Sequence, residues 1–252
     1  MIPADALSFQ LYSARFLEPL EKQVELLAGL GFRLVEPYGG LLAAPDRLKQ
    51  ALDRHDLKAK SAHVGLDRLR KDAPGTARIC RGLGIELVIV PAPPAGEREK
   101  DTAGWRALGR ELVEIGKAVA AEGMRFGWHN HDFEFRATAD GSRPIDLILG
   151  EAPDLLWEPD IAWIIRGGAD PLAALQKYAG RIPACHVKDI APPGQAVDED
   201  GWADVGHGTL DWSRLVPAMH KAGVTLFVLE HDKPSDVARF ARRSLATIKS
   251  WR

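Results

Sequence analysis

The stretch Met124–Phe135 reads MRFGWHNHDFEF and combines a strand-like apolar run with a dense group of polar side chains. Two imidazoles, an amide and two carboxylates fall within the six residues His129–Glu134. Histidine and carboxylate side chains at the end of a strand can serve as metal ligands and as proton carriers near neutral pH. The stretch therefore predicts a buried strand that ends in a ligand or metal site. Hydrogen-bonded core or loop histidines are the simpler alternative.

Apolar runs of this kind recur along the chain, and a helical pattern follows each of them. The eight runs are Leu7–Leu11, Leu34–Glu36, Lys58–His63, Leu87–Pro91, Arg125–His131, Leu155–Asp160, Ala184–Lys188 and Thr225–Glu230. The helical patterns are Pro19–Leu30, Pro45–His55, Thr76–Leu83, Thr102–Glu122, Ile145–Gly150, Pro171–Tyr178, Trp212–Ala222 and Ser235–Trp251. Eight alternations without a break in composition predict a parallel sheet that closes on itself. We therefore expect an α/β protein, a (β/α)₈ TIM barrel in which residues 1–252 form a single domain.

Composition restricts the class of partner. The chain has 33 basic and 35 acidic residues, a net charge of −2, so it offers no basic field for a phosphate backbone and predicts no nucleic-acid partner. The two cysteines, Cys80 and Cys185, suit a reducing compartment. The sequence has neither a basic, apolar leader nor a run of about 18 apolar residues. These features predict a cytoplasmic protein that does not associate with membranes.

Two strand–helix units are longer than the others, and their extra residues form loops on the face where barrel enzymes bind ligands. The first loop follows Pro91, and the second, residues 191–210, carries Trp202. We interpret both as walls or lids of a site, because a tryptophan is costly to leave exposed. A merely solvated second loop is the alternative.

Other predicted strands also end in polar residues, as a shared site requires. These residues are Glu36, His63, Glu158, Asp160, His186, Lys188, Glu230 and Asp232. Since side chains alternate along a strand, His186 and Lys188 point to the same side. A mixed set of carboxylates and imidazole suits one divalent ion such as Mn²⁺ or Mg²⁺, with Zn²⁺ or Co²⁺ as alternatives.

Taken in order, several motifs resemble the sugar phosphate isomerase/epimerase superfamily of xylose isomerase-like TIM barrels. The motifs are His129–Phe135, Pro159–Trp163, Gly167–Pro171, His186–Asp189 and Glu230–Asp232. The resemblance implies one divalent metal ion, with Mn²⁺ preferred, and a set of four ligands: Glu134, Asp160, His186 and Glu230. It also implies that Glu134 and Glu230 are the catalytic pair, which passes a proton from one face of the substrate carbon to the other.

Two residues depart from the family pattern. Relatives that epimerise ketoses carry the first metal glutamate roughly where His129 stands, whereas this chain has Glu134 three residues after His131. We expect Glu134 to reach back to the metal, because a carboxylate balances the metal charge and can act as a base. His129 as the ligand is the alternative. Trp163 replaces a polar residue of several relatives, which predicts a more apolar substrate pocket.

The remaining candidates are predicted to contact the substrate. They are Glu36, His63, His131, Trp163 and Lys188. A structural pair in the barrel mouth is an equal alternative for Glu36 and His63. Lys188 could instead be a counter-ion for Asp189.

The function that these residues predict is a metal-dependent sugar isomerase or epimerase, which removes a proton next to a carbonyl and forms an enediolate. Elimination across a 3-keto-glycoside is a close alternative, since it uses the same first step. An apurinic-site endonuclease shares the barrel but needs more metal ligands and a basic groove. A non-catalytic sugar-binding barrel would be expected to lack a metal carboxylate. The expected partner is a small sugar, and a homo-oligomer is left open.

Overall fold

The computed structural model describes residues 2–251, so the two ends of the predicted domain, Met1 and Arg252, lie outside the described residues. Within residues 2–251 the strands are β1 (Leu7–Gln10), β2 (Leu34–Glu36), β3 (Lys58–Ala59), β4 (Ser61–His63), β5 (Leu87–Val90), β6 (Arg125–His129), β7 (Leu156–Glu158), β8 (Ala184–Val187), β9 (Asp189–Ile190), β10 (Trp202–Ala203) and β11 (Leu226–Leu229). The α-helices of these residues are α1 (Leu20–Leu30), α2 (Pro45–Arg54), α3 (Leu66–Gly82), α4 (Thr102–Ala121), α5 (Pro144–Glu151), α6 (Ile161–Arg166), α7 (Pro171–Lys177), α8 (Trp212–Ala222) and α9 (Val237–Ser250).

Parallel strands form the wall of a barrel, and the helices alternate with them along the chain. One sheet has the order β3-β2-β1-β11-β8 and the other has the order β4-β5-β6-β7. The third barrel strand is divided at Lys60, so that β3 pairs with β2 while β4 pairs with β5. Isolated bridges join the two sheets at both of their edges. The predicted (β/α)₈ TIM-barrel fold is confirmed.

The first seam is the junction of the two sheets between β2 and β4. Tyr38 forms an isolated parallel bridge with His63, and the His63 backbone N–H donates to the Pro37 carbonyl over 2.9 Å. Proline has no N–H with which to continue a ladder, which limits the pairing here. The preceding residue, Glu36, is completely buried.

The second seam, between β7 and β8, repeats this arrangement. Asp160 forms an isolated parallel bridge with His186, and the His186 backbone N–H donates to the Pro159 carbonyl over 2.8 Å. Glu158 precedes this proline and is also buried. Each seam therefore has a Glu-Pro dipeptide on one side and a histidine on the other.

The helices differ from the predicted ones in α6 (Ile161–Arg166), which was not predicted, and in the start of α3. The predicted helix began at Thr76, but α3 begins at Leu66 and contains a kink at Asp72, whose φ of −160° is not helical. The Asp72 carboxylate accepts a hydrogen bond from the Gly75 backbone N–H over 2.8 Å and begins the second segment. Pro74 is favourable in the first turn of that segment. The sequence pattern therefore indicated a helix that starts near this proline, and the segment from Leu66 to the kink was not predicted as helix.

Four apolar residues of α4 recur at i, i+4, i+7 and i+11, on one face of the helix, and all are buried. They are Leu108, Leu112, Ile115 and Val119. Burial of this stripe against the barrel is what stabilises an otherwise polar helix. Within residues 2–251, no helix has the length and hydropathy of a membrane span.

Asp189 organises the long loop 191–210. Its carboxylate accepts hydrogen bonds from the backbone N–H groups of Ile190, Gly206, Gly208 and Leu210 and from the Trp212 indole N–H. Strand β9, just before this loop, pairs antiparallel with β10, which lies within it. The loop is thus tied to the barrel at several points, and Trp202 of β10 is only 1% exposed.

Candidate metal centre at the barrel mouth

Buried histidine and carboxylate side chains meet at the C-terminal ends of the strands. Among the described residues, two sets of four have donor atoms that all lie within 4.8 Å of one another, as a metal site requires. The Asp160 group consists of His129, Asp160, His186 and Glu230, and the Glu158 group consists of His63, His129, Glu158 and His186. The two groups share His129 and His186.

The Asp160 group contains three of the four predicted ligands. His186 Nδ1 lies 2.9 Å from Glu230 Oε2 and 4.0 Å from Asp160 Oδ2. Within the described part of the chain, Asp160 Oδ2 and His129 Nδ1 are buried without a hydrogen-bond partner. Burial raises the pKa of Asp160 to about 7, although the Lys188 ammonium opposes the shift. Such an unpaired oxygen is costly, and a cation would satisfy it, so this donor set fits a divalent metal.

The Glu158 group joins the two seams. Glu158 Oε2 lies 2.7 Å from His63 Nε2 and 3.2 Å from His186 Nε2. Glu36 Oε1 lies 3.2 Å and 3.0 Å from the same two nitrogens. The two imidazole rings stack, with centroids 5.0 Å apart and planes only 3° from parallel. His186 therefore directs Nε2 to Glu36 and Glu158, and Nδ1 to the Asp160 group.

Lys188 supplies a buried positive charge beside the Asp160 group. Its ammonium donates to Asp232 and, over 3.4 Å, to Glu230 Oε2, and it lies 3.6 Å from Asp160 Oδ2. Burial opposes its charge, but Asp232 and Glu230 outweigh that effect and raise the pKa of Lys188. Lys188 is therefore protonated at neutral pH.

Aromatic rings enclose this ammonium. The Lys188 Nζ lies 4.1 Å from the ring centroid of Trp202 and 4.7 Å from that of Trp163, and the two indoles contact each other edge to face. The Arg166 guanidinium lies 3.1 Å from the Trp202 ring centroid. Trp202 thus holds the long loop against the site, which agrees with the interpretation of this loop as a wall.

Glu134 lies outside both groups. A short 3₁₀ helix, Phe133–Phe135, turns the chain back after His131, and Glu134 Oε2 accepts the His131 backbone N–H over 2.8 Å. Burial raises the pKa of this carboxyl group to about 8. The structure therefore brings His129, the alternative left open by the sequence, to the other three ligand candidates, because the turn directs Glu134 to the backbone.

A cavity of about 380 Å³ opens beside these groups. Its inner end is lined by His63, His129, His131, Glu230 and Asp232, and its outer part by Tyr12, Tyr38, Gly39, Gly65, Pro91, Ala92 and Arg98. A larger cavity of about 450 Å³ lies against α4 and contains none of the residues of the two groups. The functional candidate is therefore the cavity at the barrel mouth.

The five residues predicted to contact the substrate occupy different positions. His63 and His131 line the cavity, whereas Glu36 and Lys188 are buried against the groups described above. Trp163 packs on His131, with ring centroids 5.3 Å apart. Glu158 was noted in the sequence as a polar strand-end residue, but no ligand, catalytic or substrate role was predicted for it. The recurrence of Glu-Pro at two strand ends was the signal that could have identified it.

A parallel barrel with histidine and carboxylate groups at its C-terminal mouth has the architecture of barrel enzymes. A family model described as xylose isomerase-like TIM barrel matches residues 24–251. The chain belongs to this family, and the resemblance seen in the sequence motifs is confirmed.

The individual proteins that the chain resembles are only distantly similar to it in sequence. An inosose dehydratase of Klebsiella pneumoniae is 33% identical over 91 residues, which cover 35% of this chain and 30% of that protein. A sugar phosphate isomerase/epimerase structure from Parabacteroides distasonis shares 18% identity and a TM-score of 0.79, covering 99% of this chain and 98% of the other. The structure of IOLI protein with a bound zinc atom shares 17% identity and a TM-score of 0.76, covering 97% and 95%. The two structures show similarity of fold.

Proposed function

We propose that the protein is a metal-dependent enzyme that modifies a sugar or keto-sugar by removing a proton from the carbon next to a carbonyl. This step is common to isomerases, epimerases and dehydratases, the activities named for the relatives. Return of the proton would give the isomerase or epimerase reaction expected from the sequence. Loss of a group from the next carbon would give an elimination.

The observation that carries the proposal is the convergence of His129, Asp160, His186 and Glu230 beside the cavity, which His129 and Glu230 line. Among the described residues, Asp160 Oδ2 is buried without a hydrogen-bond partner. These four residues would hold one divalent cation, which supplies positive charge to polarise a carbonyl when bound. Two imidazoles and two carboxylates suit Zn²⁺, Co²⁺ or Mn²⁺ better than Mg²⁺. His129 replaces Glu134 in this proposed set.

The chain supplies groups that can move a proton in the same cavity. Glu230 lines the cavity and is the proposed base, as expected from the sequence. His131 also lines it, and His131 Nδ1 has no hydrogen-bond partner in residues 2–251, so we propose His131 as the second proton carrier in place of Glu134. Lys188, beside Glu230 and Asp160, would stabilise negative charge that develops on the substrate.

Solvent deuterium exchange tests this function directly. Purified protein, metal-free and then loaded with Zn²⁺, Mn²⁺ or Co²⁺, is incubated in D₂O with an inosose, a 3-keto-glucoside and a ketose. We expect metal-dependent deuterium incorporation next to the carbonyl of at least one substrate, and NMR of the products distinguishes epimerisation from elimination. Absence of exchange with every metal and substrate would contradict the proposal.

A matched pair of variants tests the ligand set. We expect His129→Ala to lose bound metal, whereas Glu134→Gln retains it, because only the former removes a member of the Asp160 group. Elemental analysis after dialysis measures the metal content of each. Metal loss in Glu134→Gln together with retention in His129→Ala would restore Glu134 as the ligand.

A further inference from the structure

The outer part of the cavity has an aromatic corner that the proposed proton transfer does not use. Tyr12 and Tyr38 both line the cavity, and their rings meet edge to face with centroids 5.3 Å apart and planes at 85°. Tyr12 remains 39% exposed. Two perpendicular aromatic faces at the mouth of a polar site are suited to a flat ring with an apolar face.

The chain holds this corner in place. The Arg15 guanidinium stacks 3.9 Å from the Tyr12 ring centroid and 4.3 Å from that of Phe16, and Arg15 Nη1 donates to the Tyr12 carbonyl over 2.8 Å. Phe16 is 72% exposed. The folded protein therefore presents two neighbouring aromatic rings to solvent at the rim, and the Arg15 guanidinium contacts both. Rings held in place lose less entropy when a ligand binds.

Glycines keep the space next to the corner free of side chains. Gly39 and Gly65 line the cavity, and a Cβ on Gly39 would lie 3.6 Å from the Gly65 backbone nitrogen. A Cβ on Gly40 would come within 2.9 Å of Tyr38 Cε2, so glycine there allows the tyrosine ring its position. The result is a space without side chains beside two aromatic rings.

The corner adjoins the reacting groups through the first seam. Tyr38 is bridged to His63, and His63 Nε2 lies 2.7 Å from Glu158 Oε2. A sugar bound at the inner end would therefore have its outward substituent near the tyrosines. We propose that the outer part of the cavity is a subsite for a second ring, so that the substrate is a glycoside, a reacting sugar joined to an aryl group or another sugar. This inference rests on the proposed function.

Binding of simple glycosides tests the subsite. We expect metal-loaded protein to bind phenyl β-glucoside about ten times more tightly than methyl β-glucoside in calorimetry, since the second ring contacts the tyrosines. Cellobiose in a third titration shows whether a sugar ring gains the same advantage. Tyr12→Ala should remove the advantage and Tyr12→Phe should keep it. Val197→Ala, which removes a side chain that is 73% exposed in the long loop, is the control and should also keep it.

Three results would overturn the subsite. They are equal affinities for all three glycosides, an unchanged phenyl-to-methyl ratio in Tyr12→Ala, and a change of oligomeric state in Tyr12→Ala or Phe16→Ala, which would assign the aromatic rim to a second copy of the chain. Deuterium exchange separates this failure from failure of the proposed function. Exchange on free keto-sugars without any phenyl preference would contradict the subsite alone, whereas a Tyr12-dependent phenyl preference without exchange would contradict the reaction alone.

Discussion

A single imidazole connects the two groups of buried titratable residues. His186 Nδ1 faces Glu230 and Asp160, while His186 Nε2 faces Glu36 and Glu158. A carboxylate behind one ring nitrogen keeps the proton there and leaves the other nitrogen free to bind a metal. At the residue scale, Glu36 would therefore position the proposed ligand His186, which corresponds to the structural alternative left open for Glu36 rather than to a substrate contact.

Glu36→Gln should weaken metal binding without removing a ligand. Gln10 and Ser61 hold the carboxylate in place by donating to its two oxygens, so the variant can keep its position while losing the charge that orients His186. We expect an affinity for Zn²⁺ lower by about 10–100-fold, measured by competition with a chromogenic chelator. Glu86→Gln, a change at an exposed ion pair with Lys60, is the control. Equal affinities of both variants would contradict the role.

Glu134 gives the protein a pH-dependent stability. Its pKa is raised by burial from 4.5 to about 8 in the folded chain, so the folded state holds this proton more tightly than the unfolded state does. The contribution of the protonated group to stability is complete below pH 4.5 and is lost as pH rises through 8.

Glu134→Gln cannot titrate but keeps an oxygen for the His131 N–H. We therefore expect the melting temperature of the wild type to fall relative to this variant between pH 5 and pH 9, by several degrees, since 1 kcal/mol corresponds to about 2–4 °C in a chain of this size. Glu114→Gln, at a side chain that is 71% exposed, should show no such trend. Parallel curves for the wild type and Glu134→Gln would refute the argument.

At the scale of elements, the loop 191–210 depends on the carboxylate of Asp189, which accepts four backbone N–H groups and an indole N–H. Gly208 can approach because it lacks a Cβ, which would lie 2.4 Å from the Ile190 carbonyl oxygen. Loss of a charged, buried acceptor leaves several donors unpaired at once. This loop in turn places Trp202 on Lys188.

Asp189→Asn should therefore lower the free energy of unfolding by at least about 2 kcal/mol and make the loop sensitive to proteolysis. Denaturant unfolding measures the first effect and limited digestion the second. Asp198→Asn changes an exposed carboxylate of the same loop and should stay within about 0.5 kcal/mol of the wild type. A similar small effect for Asp189→Asn would show that the loop does not need this carboxylate.

Elements that depend on local sequence patterns could be predicted, whereas features that depend on one turn or on contacts between distant residues could not. Apolar periodicity reports burial, so the strands and the α4 stripe could be read from the sequence. The direction of Glu134 could not, because a short 3₁₀ turn and one backbone hydrogen bond decide it. The β9–β10 pairing was missed because residues 191–201 separate its partners. The role of Glu158 was missed because its three imidazole neighbours come from three other strands.

At the scale of the molecule, the proposed metal would join the two sheets. His129 is the last residue of β6 and Asp160 lies just after β7, and both strands belong to the four-stranded sheet. His186 lies on β8 and Glu230 just after β11, and both of these strands belong to the five-stranded sheet. A ligand that binds only the folded state stabilises it in proportion to the logarithm of its concentration. Metal binding should therefore stabilise the whole barrel.

We expect saturation with Zn²⁺ at about 100 times Kd to add about 2.7 kcal/mol to the free energy of unfolding, a rise of roughly 5–10 °C in melting temperature. Differential scanning calorimetry with and without a chelator measures the rise. In Asp160→Asn it should be much smaller. An equal rise in that variant would place the metal elsewhere.

The second seam also has a mechanical consequence. Between β7 and β8 the wall of the barrel is closed by an isolated bridge rather than by a full ladder, and two proposed metal ligands stand on each side of it. If force is applied across this junction, the metal-free protein should separate between β7 and β8 first. A bound ion would link the two sides of the junction and raise the force required. The ion proposed to activate the substrate would then also determine the mechanical resistance of the barrel that binds the ion.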